Sequence, residues 1–192
     1  MNNNIKVLKF FADNKEGAFS IRQVSKLLKM SYKLVYEQII KLDKTNHIKT
    51  NFIGRAKVCK FNYKYDYLIV NVEEERQKEL FKNKDIQLIY RRIKDIKKPF
   101  FILLVFGSFA NKTNKKNSDI DLCLIADNKK INKLVNEVLS ITPVNVHLNE
   151  FTTDEFMSML LTTEENVAHE IIKNNIILCS IENFYEMVNN VE

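Results

Sequence analysis

The chain has 192 residues, 45% apolar and 28% charged, a globular composition with room for one ordinary domain or two small ones. No run approaches the roughly 20 apolar residues of a membrane span, and the opening Met1-Asn2-Asn3-Asn4 has no signal-peptide pattern, so a cytoplasmic protein without membrane contact is expected. The net charge of +6 divides unevenly: residues 1–65 hold 14 Lys/Arg against 4 Asp/Glu, a net of +10, and residues 66–192 hold 16 against 20, a net of −4. A basic front on a slightly acidic back implies two modules with different partners.

In chain order, Ile5, Val7, Leu8, Phe10 and Phe11 form a first helical stripe, broken by Asp13-Asn14-Lys15-Glu16-Gly17. Ser20 is placed to cap a second helix with Ile21, Val24, Leu27 and Leu28 on one face. Ser31 is placed to cap a third, with Leu34, Val35, Ile39 and Leu42 facing inward. Only Lys29 and Met30 separate these two helices, the short connection of a helix-turn-helix. Residues 48–52 and 56–61 then read as two strands around Ile53-Gly54-Arg55, where the glycine suits a hairpin turn.

Residues 66–98 are helical in pattern, with the acidic run Glu73-Glu74-Glu75 and the basic pairs Arg91-Arg92 and Lys97-Lys98, and Pro99 ends the segment. The period then changes. Phe100 to Phe106, Ile120 to Ile125 and Val144 to Leu148 read as buried strands. Helical patterns cover Ile131 to Leu139, Thr153 to Leu161 and Glu164 to Ile172, followed by a short strand at Ile176 to Leu178 and a last helix from Glu182 to Val191. Strands and helices mixed in this way make a small α/β (α+β) domain. Three widely spaced cysteines, Cys59, Cys123 and Cys179, form no CxxC pair and are expected to be reduced, buried residues.

Gly17, Gly54 and Gly107 are the only glycines, too few for a P-loop or a dinucleotide fingerprint. Phosphate would have to be held another way. The stretch Phe106-Gly107-Ser108-Phe109-Ala110, followed after a polar loop by Ser118-Asp119-Ile120-Asp121-Leu122, offers one. Strand alternation turns Asp119 and Asp121 to one face and Ile120 to the core. Two adjacent carboxylates repel unless a cation lies between them, and hard oxygen donors suit Mg²⁺ or Mn²⁺ shared with nucleotide phosphates. Gly107 allows close approach of the backbone to a phosphate. Ser108 adds a hydroxyl donor, and Lys112, Lys115 and Lys116 in the loop can add positive charge.

Together these residues resemble the GS-x10-DxD motif of the minimal nucleotidyltransferases in the DNA polymerase β-like superfamily, over roughly residues 85–180. The resemblance implies a nucleotidyltransferase domain with a mixed sheet. In it Gly107 and Ser108 would hold the terminal phosphates of a nucleoside triphosphate, and the catalytic Asp119 and Asp121 would ligate two divalent ions. Residues 1–64 resemble a small winged helix-turn-helix domain. That implies duplex DNA as a partner, with Tyr32, Lys33, Tyr36 and Lys41 on the third helix and Arg55 and Lys57 in the wing. A three-helix packing module that touches no DNA is the competing account of this pattern. The expected organisation is thus 1–64 winged helix-turn-helix, 65–98 helical connector and 99–192 nucleotidyltransferase domain with C-terminal helices.

Two positions depart from the family. Lys112 stands where many relatives have a second glycine, so the loop tip is expected to differ in shape. The third carboxylate that active members supply from a later strand is missing from Val144-Asn145-Val146-His147-Leu148, whose alternating polar residues are Asn145 and His147. Glu150, just past that strand, Asp127 and His147 are the candidates for its role, and His147 reads more readily as a partly exposed strand residue; His47 and His169 are assigned none. The leading expectation is transfer of a nucleoside monophosphate, AMP from ATP, to a protein, small-molecule or nucleic-acid acceptor. A toxin-like partner protein is one such acceptor, because minimal members resemble antitoxins. The alternative is a DNA-binding regulator with a degenerate nucleotide-binding domain, and a homodimer would follow from the short site that one winged helix reads.

Overall fold

The computed structural model describes residues 2–96, 100–116 and 118–189, so Lys97, Lys98, Pro99 and Val191, named in the sequence reading, lie outside the described residues. The chain divides into two units, residues 1–73 and 74–192.

In the first unit, helix starts follow side-chain caps. Asn2 caps α1 (Asn3–Ala12), and Ser31 caps α3 (Tyr32–Lys44) by accepting from Leu34 N–H. Strand β1 (Phe19–Ser20) leads directly into α2 (Ile21–Leu28), where Ser20 and Gln23 form a reciprocal capping box. Lys29 ends α2 in the left-handed conformation, φ 52°, and the Ser25 hydroxyl donates to the Met30 carbonyl, closing the turn between α2 and α3. Strands β2 (Ile48–Ile53) and β3 (Ala56–Phe61) pair antiparallel with Ile53 opposite Ala56, leaving Gly54-Arg55 as a two-residue loop with φ +58° at the glycine.

Two features here differ from the sequence pattern. The two-residue β1 pairs with β3, giving a sheet of order β1-β3-β2. So short a strand, lying between the helical patterns of α1 and α2, offers no alternation to read. Leu27 is 60% exposed, because α2 buries only the narrow stripe of Ile21 and Val24 and Leu27 falls at its edge.

The unit-two sheet has the order β6-β5-β4-β7, from β4 (Ile102–Phe106), β5 (Ile120–Ile125), β6 (Val146–Phe151) and β7 (Asn175–Cys179). Strand β4 runs antiparallel to β5 and β7, and β5 runs parallel to β6, so the sheet is mixed. Both central strands are buried on both faces, apart from the partly exposed Asp121 in β5, which is why they read as apolar runs. Phe100 is 73% exposed and stands outside β4, so the strand starts later than the apolar run does.

Alternate residues Leu103, Val105, Ile120, Leu122 and Leu124 share one core with Ile86, Ile89 and Ile93 of α5 (Lys84–Ile93) and with Ile131 and Val135 of α7 (Lys129–Ser140). The preceding helix α4 (Tyr67–Leu80), within which the two units divide, covers the β7 edge: Arg76 and Gln77 each donate at 2.6 Å to the Asn175 and Ile177 carbonyls. The one-turn α6 (Gly107–Ala110) follows β4. Helices α8 (Thr153–Leu160), α9 (Val167–Lys173) and α10 (Ile181–Asn189) complete the unit. No disulfide forms. Burial raises the thiols of Cys59 and Cys179 to about 11 and about 12 and that of Cys123 still further, so all three stay protonated.

His47, only 1% exposed, joins the first unit's turn to Asp66, its Nε2 lying 2.9 Å from Oδ1 and its Nδ1 2.8 Å from the Thr45 hydroxyl. Burial pushes the Asp66 carboxyl up, but the His47 hydrogen bond and charge with the Ile69 and Leu68 N–H groups bring it below its ordinary 3.8. A depressed folded-state value contributes stability that is present above the unfolded value and lost as pH falls through the folded one. Replacing Asp66 by Asn should therefore lower stability at neutral pH and flatten its decline below about pH 4, as read by denaturant unfolding of the full chain across acid pH.

Candidate active site

Strand β4 stops at Phe106 because Gly107 takes φ +63° and starts α6. The antiparallel register, with Val105 opposite Leu122, brings the start of β5 beside that turn. Asp121 follows the buried Ile120 and faces away from the α5–α7 core. Its carboxylate, 29% exposed, lies directly on Gly107: a Cβ built there would run into Asp121 Oδ2. Glycine is thus required twice, once for the backbone angle and once for the space that the carboxylate occupies. Asp119 stands exposed just before β5, and its carboxylate has no hydrogen-bonding partner among the described residues. Ser108 is half-buried in the first turn of α6, where its carbonyl accepts from Thr113 N–H.

The later strand brings a histidine, not an acid, to this place. His147 pairs in register with Asp121 across the parallel β5–β6 ladder, with Nδ1 3.6 Å from Oδ1. Two other candidates for the third carboxylate are corrected. Glu150 lies within β6 rather than past it, three residues from His147 and so on the opposite face, where its carboxylate accepts from the Asn136 amide on α7. Asp127 lies beyond the far end of β5, where its carboxylate accepts from the N–H and hydroxyl of Thr153 at the start of α8. Among the described residues, no group of three or more His, Cys, Asp or Glu side chains is arranged to hold a metal ion.

The loop lysines stand in two places. Lys112 takes φ +59°, the left-handed angle glycine adopts freely, and its ammonium lies 3.1 Å from Glu79. Lys115 and Lys116 line a cleft of about 470 Å³ with Asn83, Asn114 and Asn145, and none of Gly107, Ser108, Asp119 or Asp121 lines it. That cleft opens beside Ile120 and Phe109, both of the core cluster.

In the first unit, Tyr32 and Tyr36 are exposed on α3, their rings stacked 6.2 Å apart, and Lys33 and Lys41 are exposed on the same helix. Arg55 is exposed in the β2–β3 loop. Lys57 is half-buried, 3.6 Å from Asp43. Arg22 and Lys26, which the sequence reading passed over, line a cleft of about 560 Å³ with Tyr32, Arg55 and Lys57. Their i, i+4 spacing on α2 was the available signal.

The family model for "Polymerase beta, Nucleotidyltransferase" matches residues 74–183. The chain belongs to this nucleotidyltransferase family. Its members generally work on nucleoside triphosphates with divalent metal ions. Among solved structures, the chain is similar to one described as "Crystal structure of the toxin-antitoxin with AMP-PNP", with 14% identity over 53% of this chain and 79% of that chain, and a TM-score of 0.34. No curated protein matches the chain. No helix among the described residues is long and apolar enough to cross a membrane.

A Gly107→Ala substitution should cost about 1–2 kcal/mol from the left-handed backbone alone, and more in total because the new methyl displaces Asp121. In an Asp121→Ala background only the backbone cost should remain. Denaturant unfolding of the two pairs measures the difference, and equal costs in both backgrounds would contradict the contact.

Proposed function

We propose that the 74–192 unit transfers a nucleoside monophosphate, AMP from ATP, to an acceptor, and that the 1–73 unit is a winged helix-turn-helix that binds duplex DNA. The observation that carries the first proposal is the Asp121 carboxylate fixed on the Gly107 turn, two residues from an exposed Asp119. This donor set fits a divalent ion. Two hard oxygen donors lie two residues apart where β5 begins, and Mg²⁺ or Mn²⁺ is ordinarily held by one or two carboxylates with the remaining positions filled by water and nucleotide phosphates. Asp119 and Asp121 would hold it, and when bound it supplies charge neutralisation at the phosphates.

Gly107 and Ser108 would orient the triphosphate through backbone N–H groups and the Ser108 hydroxyl. Positioning and electrostatics then supply most of the rate, as is general for transfer at phosphorus. The acceptor proposed is a partner protein, the class that the resemblance to antitoxin-like minimal nucleotidyltransferases implies.

His147 in place of an acid favours a second reading, in which the unit binds nucleotide with metal and transfers nothing, making the chain a nucleotide-sensing DNA-binding regulator. Asp119→Asn and Asp121→Asn, each folded, should lower metal-dependent transfer of labelled nucleotide by on the order of 10²-fold or more. Metal-dependent binding without transfer across nucleotides and acceptors would support the regulator instead. Unchanged metal dependence in both variants would contradict the site itself.

For the first unit, the net of +10 over residues 1–65 supplies the salt-dependent term of DNA affinity. Tyr32, Lys33, Tyr36 and Lys41 would enter or flank the major groove, with Arg55 and Lys57 on phosphates or in the minor groove. In the full chain, Lys33→Ala and Arg55→Ala should each lower the slope of log affinity against log salt by about one unit. A chain with no salt-sensitive affinity for any duplex would contradict this.

A further inference from the structure

The first unit gathers positive charge around one concavity. Arg22 and Lys26, one turn apart and exposed on α2, line a cleft of about 560 Å³ together with Arg55 and Lys57 of the β2–β3 hairpin. Of these four, Lys57 alone has an acid nearby among the described residues, Asp43 at 3.6 Å. No acidic side chain among the described residues lines the cleft. Like charges that converge in this way repel, and the protein walls focus their field into the space between them. Such an arrangement favours an anion held in the cleft.

Size and shape narrow the choice of anion. The volume falls within the range of small-molecule sites, about 300–1,000 Å³. A duplex presents its phosphates one after another along a convex strand. Four cations around one hollow match several phosphates carried on one compact molecule. Guanidinium groups bind phosphate oxygens in pairs, and the lysines add point charge. Tyr32, 53% exposed and stacked on Tyr36, forms an aromatic wall of the same cleft, on which a base can lie.

We propose that this cleft of the first unit binds a free nucleoside polyphosphate without a metal ion, the four side-chain cations neutralising the phosphates. Arg22 and Lys26 belong to this site alone. Tyr32, Arg55 and Lys57 are shared with the proposed duplex-binding surface, so a nucleotide seated there excludes a duplex from them. The site does not depend on the DNA-binding reading; where that reading holds, nucleotide concentration controls DNA binding.

The test uses the full chain carrying Asp119→Asn and Asp121→Asn, with EDTA present, so that binding at the proposed metal site is removed. Titration with ATP or inorganic tripolyphosphate, followed by nuclear magnetic resonance, should move the amide signals of residues 20–26 and 55–57. Arg22→Ala and Lys26→Ala, both at exposed positions, should each weaken ATP binding by about tenfold, the worth of a charge-assisted hydrogen bond. Lys44→Ala, exposed at the far end of α3, should leave it nearly unchanged. An equal loss in Lys44→Ala, or signals of 20–26 and 55–57 that stay fixed at millimolar ATP, would overturn the inference. Duplex binding that needs Arg22 and Lys26, with no binding of free nucleotide, would also overturn it and leave the DNA-binding reading standing. ATP bound in the cleft of a chain with no affinity for any duplex would support the inference and overturn that reading.

Discussion

The geometry of the candidate site depends on one missing methyl. Strand β4 must end and turn at the place where β5 begins, and a carboxylate from β5 must lie over that turn. Gly107 meets both demands, through its left-handed backbone and through the space that Asp121 fills. The antiparallel β4–β5 register then fixes where Asp121 stands. The parallel β5–β6 register fixes which residue stands beside it. The geometry of the candidate site is thus set by register, with the buried Ile120 and Leu122 locking the alternation that keeps the aspartate out of the core.

The first unit follows a different logic. Its helices are started and stopped by local chemistry, with Ser20 and Gln23 at one boundary, Ser31 at the next and Lys29 in the left-handed region between them. The buried His47, tied to Thr45 and Asp66, secures the segment that leads into β2. What remains outward is a basic, partly aromatic surface: Tyr32 and Tyr36 stacked on α3, with Arg22, Lys26 and Arg55 around a cleft at the start of α2. Structure and surface are separable here, because the residues that hold the fold are not the ones exposed on that surface.

Much of this was legible in the sequence, for identifiable reasons. Helix caps are local, so the starts of α2 and α3 could be placed from Ser20 and Ser31. Buried strands are continuous apolar runs, so β4 and β5 stood out, and strands mixed with helices marked a small α/β domain, while the mixed sheet came from the family resemblance. What was not legible depends on distant pairing. The span of β6 could not be read from Val144 to Leu148, because an edge strand half exposed along its length lacks a clean apolar run. With that span misplaced, Glu150 fell on the wrong side of its boundary. Phe100 was drawn into β4 by its side chain alone. The contact of Asp121 with Gly107 lies fourteen positions apart in sequence and carries no composition signal. The left-handed angle at Lys112 explains why a glycine suits that position, a fact about backbone conformation that residue identity does not carry.

The most direct test of the central claim is a crystal structure of the full chain with Mn²⁺ and α,β-methylene ATP, with anomalous scattering used to locate the metal. The account predicts the triphosphate against Gly107 and Ser108, and manganese between Asp119 and Asp121. Nucleotide bound elsewhere on the chain, or a triphosphate at Gly107 with no metal at either aspartate, would contradict it.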